Sequence, residues 1–197
     1  MIVDTEHLHH WMQAIRQSNN PMRTMDAFWR GQIQSKEWLI GALEEIILNP
    51  VSIDIHGGWV GLLASLLFQS KLSVKNIRSV DIDPLCEHTA NTMNQIEFEQ
   101  GRFKAVTGNM VNMRSDSDIL INTSCEHITQ NEYDIWSSGI RHNTIVVLQS
   151  NNYNIPEHIR TANSLDEFVS QSNLKNILFK GELKLPLYDR YMIIGHK

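Results

Sequence analysis

The sequence predicts an α/β protein, a three-layer sandwich whose mostly parallel seven-stranded sheet closes with a C-terminal antiparallel hairpin and is preceded by N-terminal helices. Three observations carry this expectation. From Val51 onward, short apolar runs alternate with helix-length segments, the pattern of right-handed βαβ crossovers and a sheet covered on both faces. The last two apolar runs are separated only by Leu185-Pro186-Leu187, too short for a helical crossover, so the chain must reverse there. The first fifty residues carry helical periodicity instead.

In chain order, Asp4 can cap a run in which Leu8, Trp11, Met12 and Ile15 form one apolar stripe, and Asn19-Asn20-Pro21 breaks it. A second helical run, about 35–48, carries Trp38, Leu39, Ala42, Leu43 and Ile46 and ends at Asn49-Pro50. Strands are expected at 51–55, 77–82, 103–106, 118–122 and 144–149, with the hairpin at 176–184 and 188–195. Helices are expected at about 59–69, 84–97, 129–138 and 164–172. The chain reads as a single domain, 1–197, with 1–49 as a helical extension or lid and 50–197 as the ligand-binding core.

At 197 residues the chain can bury a full core, and its 42% hydrophobic and 20% charged residues are those of a soluble globular protein. The formal net charge is −5 without any Lys/Arg run, which disfavours a long nucleic-acid footprint. Cys86 and Cys125 are far apart and unpatterned, as expected in a reducing cytoplasm. The segment MIVDTEHLHHWMQ lacks the cationic-then-apolar order of a signal peptide, and no apolar run reaches the roughly 18 residues of a membrane span. The expectation is a cytoplasmic protein without membrane association; nothing in the sequence sets its oligomeric state.

In an open parallel sheet, ligands bind beyond the carboxyl ends of the strands, at the topological switch point. Four loops should converge there. The first, SIDIHGGWVG, offers Asp54, His56, Gly57, Gly58, Trp59 and Gly61, with glycines for close backbone approach and free N–H groups where a helix begins near Trp59. The second strand ends at Asp81-Ile82, and Asp81 follows Gly61 by about 20 residues, the separation at which nucleotide-binding βαβ units place a ribose-binding acid. After the third strand come Gly108, Asn109 and Met110, an amide able to read an adenine edge and a thioether able to pack on its ring. After the fourth comes Asn122-Thr-Ser-Cys-Glu-His127, polar and ionisable groups at the ligand edge.

In this order of motifs, from Val51 to Lys197, the sequence resembles the class I S-adenosylmethionine-dependent methyltransferases, whose fold is Rossmann-like. SIDIHGGWVG looks like their acid-plus-glycine first motif, SVDIDP matches an acid ending the second strand, Gly108-Asn109-Met110 is similar to their third-strand turn, and FKGELKLPLYDRYMIIG to their closing hairpin. The resemblance implies a methyltransferase using S-adenosylmethionine, with S-adenosylhomocysteine as product and a small-molecule acceptor. It also implies that Asp54 and Gly58 border the methionine part, Asp81 the ribose, and Asn109 and Met110 the adenine, with His56, Gly57, Trp59, Gly61, Ile82 and Asn122 completing the cofactor contacts. Four positions depart from the family pattern. His56 stands where a first Gly is usual, the last Gly is displaced to 61, Asn109 replaces an Asp, and only Asn122 is shared with the Asn-Pro-Pro-Tyr of amino-group methylases.

Asn122, Glu126 and His127 are the catalytic candidates. Methyl transfer needs in-line placement, plus a base when the nucleophile carries a proton, and Glu126 or His127 could be that base. The competing structural reading is a helix cap at Thr123 or Ser124, which can coexist with catalysis. Cys125 could attack only with a lowered pKa. His7, His9 and His10 lack a zinc-like partner spacing, so no metal is expected. Arg30, Gln32, Ser35 and Lys36 could line a lid, and Gln149 to Tyr153 could face the acceptor pocket. A nicotinamide-binding domain is disfavoured by Asp54 and by the terminal hairpin. The alternatives kept are other sulfonium chemistry, such as aminocarboxypropyl transfer or cofactor breakdown, and a noncatalytic sensor or partner subunit of the same fold.

Overall fold

Seven strands form one sheet in a computed structural model that describes residues 4–197: β1 (Val51–His56), β2 (Val74–Asp81), β3 (Phe103–Thr107), β4 (Ile119–Asn122), β5 (Ile145–Asn151), β6 (Asn176–Lys184) and β7 (Asp189–His196). Their order is β3-β2-β1-β4-β5-β7-β6, the first five parallel and the last two joined as an antiparallel hairpin along β5. This is the expected Rossmann-like α/β sandwich. The switch point lies between β1 and β4, where His56 sits opposite Asn122 on one side and Val80 on the other.

The helices are α1 (Thr5–Gln17), α2 (Pro21–Met25), α3 (Arg30–Ile46), α4 (Leu62–Phe68), α5 (Pro84–Met93), α6 (Gln95–Glu99), α7 (Gln130–Ser138) and α8 (Leu165–Ser172). Asp4 caps α1 as expected, accepting from the Glu6 amide at 2.7 Å. Asp83 caps α5 with Pro84 in its first turn, and Thr129 with Glu132 forms a capping box on α7. The first three residues of the expected extension lie outside the described residues. No described helix is long and apolar enough to cross a membrane.

Alternation along the strands sorts side chains onto two cores. Ile53, Ile55, Ile119, Ile121, Val147, Met192 and Ile194 pack with residues of α1, α3, α4 and α5. Leu120, Val146, Leu148, Tyr191 and Ile193 pack on the other face with Tyr133 and Trp136 of α7 and Phe168 of α8. The N-terminal helices belong to the first core, and two hydrogen-bonded ties fix them. Trp11 donates its indole N–H to Ser65 of α4 at 2.8 Å, and Ser35 of α3 exchanges two hydrogen bonds with Gln149 of β5 at 2.8 and 3.2 Å.

Several boundaries differ from expectation, each for a local reason. The helix expected from 59 starts only at Leu62, because Trp59 (φ 49°) and Gly61 (φ 81°) form a left-handed turn ahead of it. The helix expected over 84–97 breaks at Asn94, whose buried amide donates to the carbonyls of Gly61 and Ala90. β2 begins at Val74, where exposed Lys75 and Asn76 hide its start from an apolar scan, and α3 begins at Arg30, in a polar stretch. β5 runs on to Asn151, since Ser150 and Asn151 pair with Tyr191 and Arg190 of β7.

Asp54, only 3% exposed, projects from β1 onto the α7 side of the sheet and forms a two-pronged ion pair with Arg78 of β2. Arg78 also donates to the Arg114 carbonyl at 2.6 Å. Breaking a buried pair on one side leaves the other charge uncompensated. Arg78→Ala, which strands the buried Asp54 charge, is expected to lower unfolding free energy by about 3 kcal/mol, measured by urea denaturation at pH 7, while Arg78→Lys, which keeps one contact, loses less.

Candidate functional site

The turn after β1 is built around one acceptor. The Val80 carbonyl, at the end of neighbouring β2, takes the N–H groups of both Gly57 (2.9 Å) and Gly58 (3.0 Å). Gly57 adopts φ 71°, and a Cβ on Gly58 would stand 1.9 Å from the Ser79 hydroxyl, so each glycine is required for its own reason. The Trp59 N–H then donates to Asp81 Oδ2 at 2.7 Å, while Asp81 Oδ1 accepts from the Asp83 amide at 3.0 Å. The N–H groups of Gly57, Gly58 and Trp59 are therefore engaged within the protein. What this turn offers a ligand is its surface, the Asp81 carboxylate, whose oxygens retain lone pairs, and the first N–H groups of α4, which begins at Leu62 on the cavity wall.

A cavity of about 560 Å³ opens at the switch point. Gly57, Gly58 and Trp59, Asp81 and Ile82, and Asn109 and Met110 line it, as do Glu126 and His127. Asn109 also shapes its own turn, accepting from the Val111 amide at 2.9 Å. Asp54, His56, Gly61 and Asn122 stand behind the wall. Asp54 faces Arg78, and Gly61 packs against Ala90 and Asn94. Asn122, fully buried, accepts from the Ser124 amide at 2.9 Å and so turns the chain that presents Glu126 and His127. Cys125 is buried too, its thiol pushed up to about 12 by desolvation, so it stays protonated and unreactive.

Beyond β4 the cavity wall is strongly polar. Glu126 is 3% exposed; its Oε1 accepts from Asn151 Nδ2 at 2.6 Å and lies 3.7 Å from the Arg190 guanidinium. Arg190, itself buried, donates to the Thr123 carbonyl at 2.7 Å and to Gln149 at 3.3 Å. Lys36 enters from α3, bonded to Gln32 at 2.9 Å, and burial followed by repulsion from Arg190 lowers its pKa to about 7. Gln32 and Lys36 line the cavity, while Ser35 ties α3 to β5 and Arg30 does not reach the wall. Gln149 and Asn151 act through Arg190 and Glu126. Sequence reasoning missed Arg190, Arg23 and His158. Arg190 lies in the FKGELKLPLYDRYMIIG hairpin, which marks it only as part of a strand, and Arg23 and His158 belong to no motif; the tertiary structure sets Arg23 and Arg190 in the cavity wall and His158 against His127.

His56 closes β1 on the α7 side, where Trp136 donates its indole N–H to His56 Nδ1 at 2.8 Å. Desolvation holds its pKa down at about 4, so the ring is neutral at pH 7.

No protein-family model matches the sequence, and no curated protein does either. Solved structures match the fold along nearly the whole chain. Magnesium protoporphyrin IX methyltransferase from Synechocystis PCC 6803 with bound S-adenosylhomocysteine superposes with a TM-score of 0.69 at 13% identity, over 98% of this chain and 95% of that one. The same enzyme with bound S-adenosylmethionine gives 0.68 at 12% identity, over 98% and 92%. The N-methyltransferase NodS from Bradyrhizobium japonicum WM9 with S-adenosylhomocysteine gives 0.66 at 10% identity, over 97% and 98%. The fold is therefore that of the class I S-adenosylmethionine-dependent methyltransferases.

The buried His56 makes a pH prediction. In the unfolded chain an imidazole titrates near the ordinary value of about 6.5, and in the fold only near 4. Between those values the unfolded state binds more protons, so stability falls as pH falls. From pH 7 to 5 the loss from this residue should be about 2 kcal/mol in urea titrations. His56→Gln should flatten that limb; an unchanged slope would show that His56 is not the group responsible.

Proposed function

We propose that this protein is an S-adenosylmethionine-dependent methyltransferase acting on a small-molecule acceptor. The observation that carries the reading is the cavity at the switch point. On the β2–β3 side it gathers Asp81, Ile82, Asn109 and Met110, and on the β4–β7 side Glu126, His127, Lys36 and Arg190. The first group suits a nucleoside: the Asp81 carboxylate can accept from ribose hydroxyls, while Ile82 and Met110 offer apolar faces to a purine. The Gly57–Trp59 turn, which lets backbone approach closely, would take the methionine end. The sulfonium methyl would then point toward the β4–β7 side, where the acceptor binds. The S-adenosylhomocysteine bound in structural neighbours supports a cofactor of this class.

Methyl transfer requires the acceptor atom in line with the sulfonium carbon and, for a protonated nucleophile, a base within reach. Lys36, with its pKa near 7, is partly neutral at pH 7 and can take such a proton. Glu126 and His127 are the other groups placed to do so. A cavity of about 560 Å³ with a buried charged wall fits a cofactor and a compact polar acceptor.

Isothermal titration with S-adenosylhomocysteine tests the reading. Wild type is expected to bind in the micromolar range, and Asp81→Asn to weaken binding by about tenfold, as a lost charge-assisted bond does. No heat at millimolar ligand would overturn the proposal. In turnover, S-adenosylhomocysteine is the expected product; methylthioadenosine would replace methyl transfer by another sulfonium reaction.

A further inference from the structure

We propose that Glu126, His127 and His158 bind a divalent first-row transition metal at the acceptor end of the cavity. One carboxylate oxygen of Glu126 and one ring nitrogen of each histidine all lie within 4.8 Å of one another. The two imidazoles meet edge-on with centroids 4.8 Å apart.

Glu126 supplies the independent observation. Its Oε1 is held by Asn151 and faces Arg190, but its buried Oε2 has no hydrogen-bond partner. A carboxylate oxygen taken out of water without a donor is expensive, and such an atom in a native fold calls for an unseen partner. Arg190 does not fill that place, because its short contact is to the Thr123 carbonyl and it approaches Glu126 on the Oε1 side.

The histidines are arranged as ligands as well. His127 Nδ1 sits 3.0 Å from the Glu157 carbonyl, and His158 Nδ1 sits 2.7 Å from the Tyr153 carbonyl. A carbonyl only accepts, so each Nδ1 carries the hydrogen and the neutral ring keeps its lone pair on Nε2. Backbone carbonyls holding the far nitrogen are the usual orienting partners of metal-binding histidines. The loop carrying His158 is fixed as well, since Ile159 and Arg160 both donate backbone N–H groups to the Glu126 carbonyl, at 2.9 and 3.1 Å. The site is thus pinned to the chain that presents its other two ligands.

Two imidazoles and one carboxylate favour zinc, cobalt, iron or manganese over magnesium or calcium. Three protein ligands leave coordination open, and Glu126 and His127 turn that opening toward the cavity. Resting on the methyl-transfer reading, the acceptor would be a molecule that presents an oxygen donor to the metal. Coordination would lower the pKa of a hydroxyl there, its proton passing to solvent; the oxygen would then form a bond to the methyl carbon as the carbon–sulfur bond breaks and S-adenosylhomocysteine leaves.

Cobalt(II) chloride titrated into protein freed of metal by chelation is the test, followed by visible absorption. One cobalt per chain with d–d bands is expected. His158→Ala, on an exposed loop, and Glu126→Gln should each weaken binding by at least about tenfold. The double variant His9→Ala/His10→Ala should leave it unchanged. Absence of binding by wild type, or wild-type affinity in His158→Ala, would overturn the site even if Glu126→Gln fails to fold. Catechol added to the cobalt form should shift the bands, and no shift would overturn the acceptor chemistry. Asp81→Asn should still take up cobalt, so loss of nucleoside binding and loss of metal binding are read separately.

Discussion

The carbonyl of Val80 holds the architecture of the cavity. By accepting two consecutive amides, from Gly57 and Gly58, it pulls the end of β1 across the end of β2. The Trp59 amide then meets Asp81, and the chain passes through a left-handed turn before α4 can start. This geometry allows no Cβ at Gly58, where Ser79 fills the space, and favours glycine at Gly57 and Gly61. A ligand at this turn meets Gly57, Gly58 and Trp59 amides already bonded within the protein. Recognition there depends on shape, on the Asp81 carboxylate, on side chains and on the backbone donors that remain where α4 begins.

The other half of the cavity rests on a buried polar network. Ser35, Gln149, Arg190, Glu126 and Asn151 join α3, β5, β7 and the turn after β4 through hydrogen bonds and one ion pair. Networks of this kind specify one arrangement because each member left alone is costly. It also makes the N-terminal helices part of the site: α3 is anchored by Ser35 on one turn and delivers Lys36 to the cavity on the next residue. The partly neutral state of Lys36 follows from the same crowding of cationic groups, with burial the larger cause.

The fold was legible because its signals are local and periodic. Alternation of apolar runs with helices, and a hairpin link too short for a crossover, are properties of adjacent residues. The motif positions Gly57, Gly58, Trp59, Asp81, Asn109, Met110, Glu126 and His127 were also legible, and all border the cavity. Asp54, His56, Gly61 and Asn122 sit in the same motifs yet stand behind the wall, because strand alternation and turn geometry send them elsewhere. Asp54 shows this best. An acid at the tip of β1 looks like a ligand contact, but it points to the face where Arg78 waits. A motif records which residues are near a site without recording which way they face.

The sequence by itself determined the order of strands and helices, the hairpin and the glycine turn after β1, since each depends on neighbours within a few residues. Only the tertiary structure decided that Arg190 stands beside Glu126 and Lys36 near Arg190, that Trp136 donates to a buried and neutral His56, and that His158 lies against His127. These pairings join strands and loops far apart in the chain. Their proximity is set by sheet register and by the packing of two cores, and no local pattern of residues encodes either.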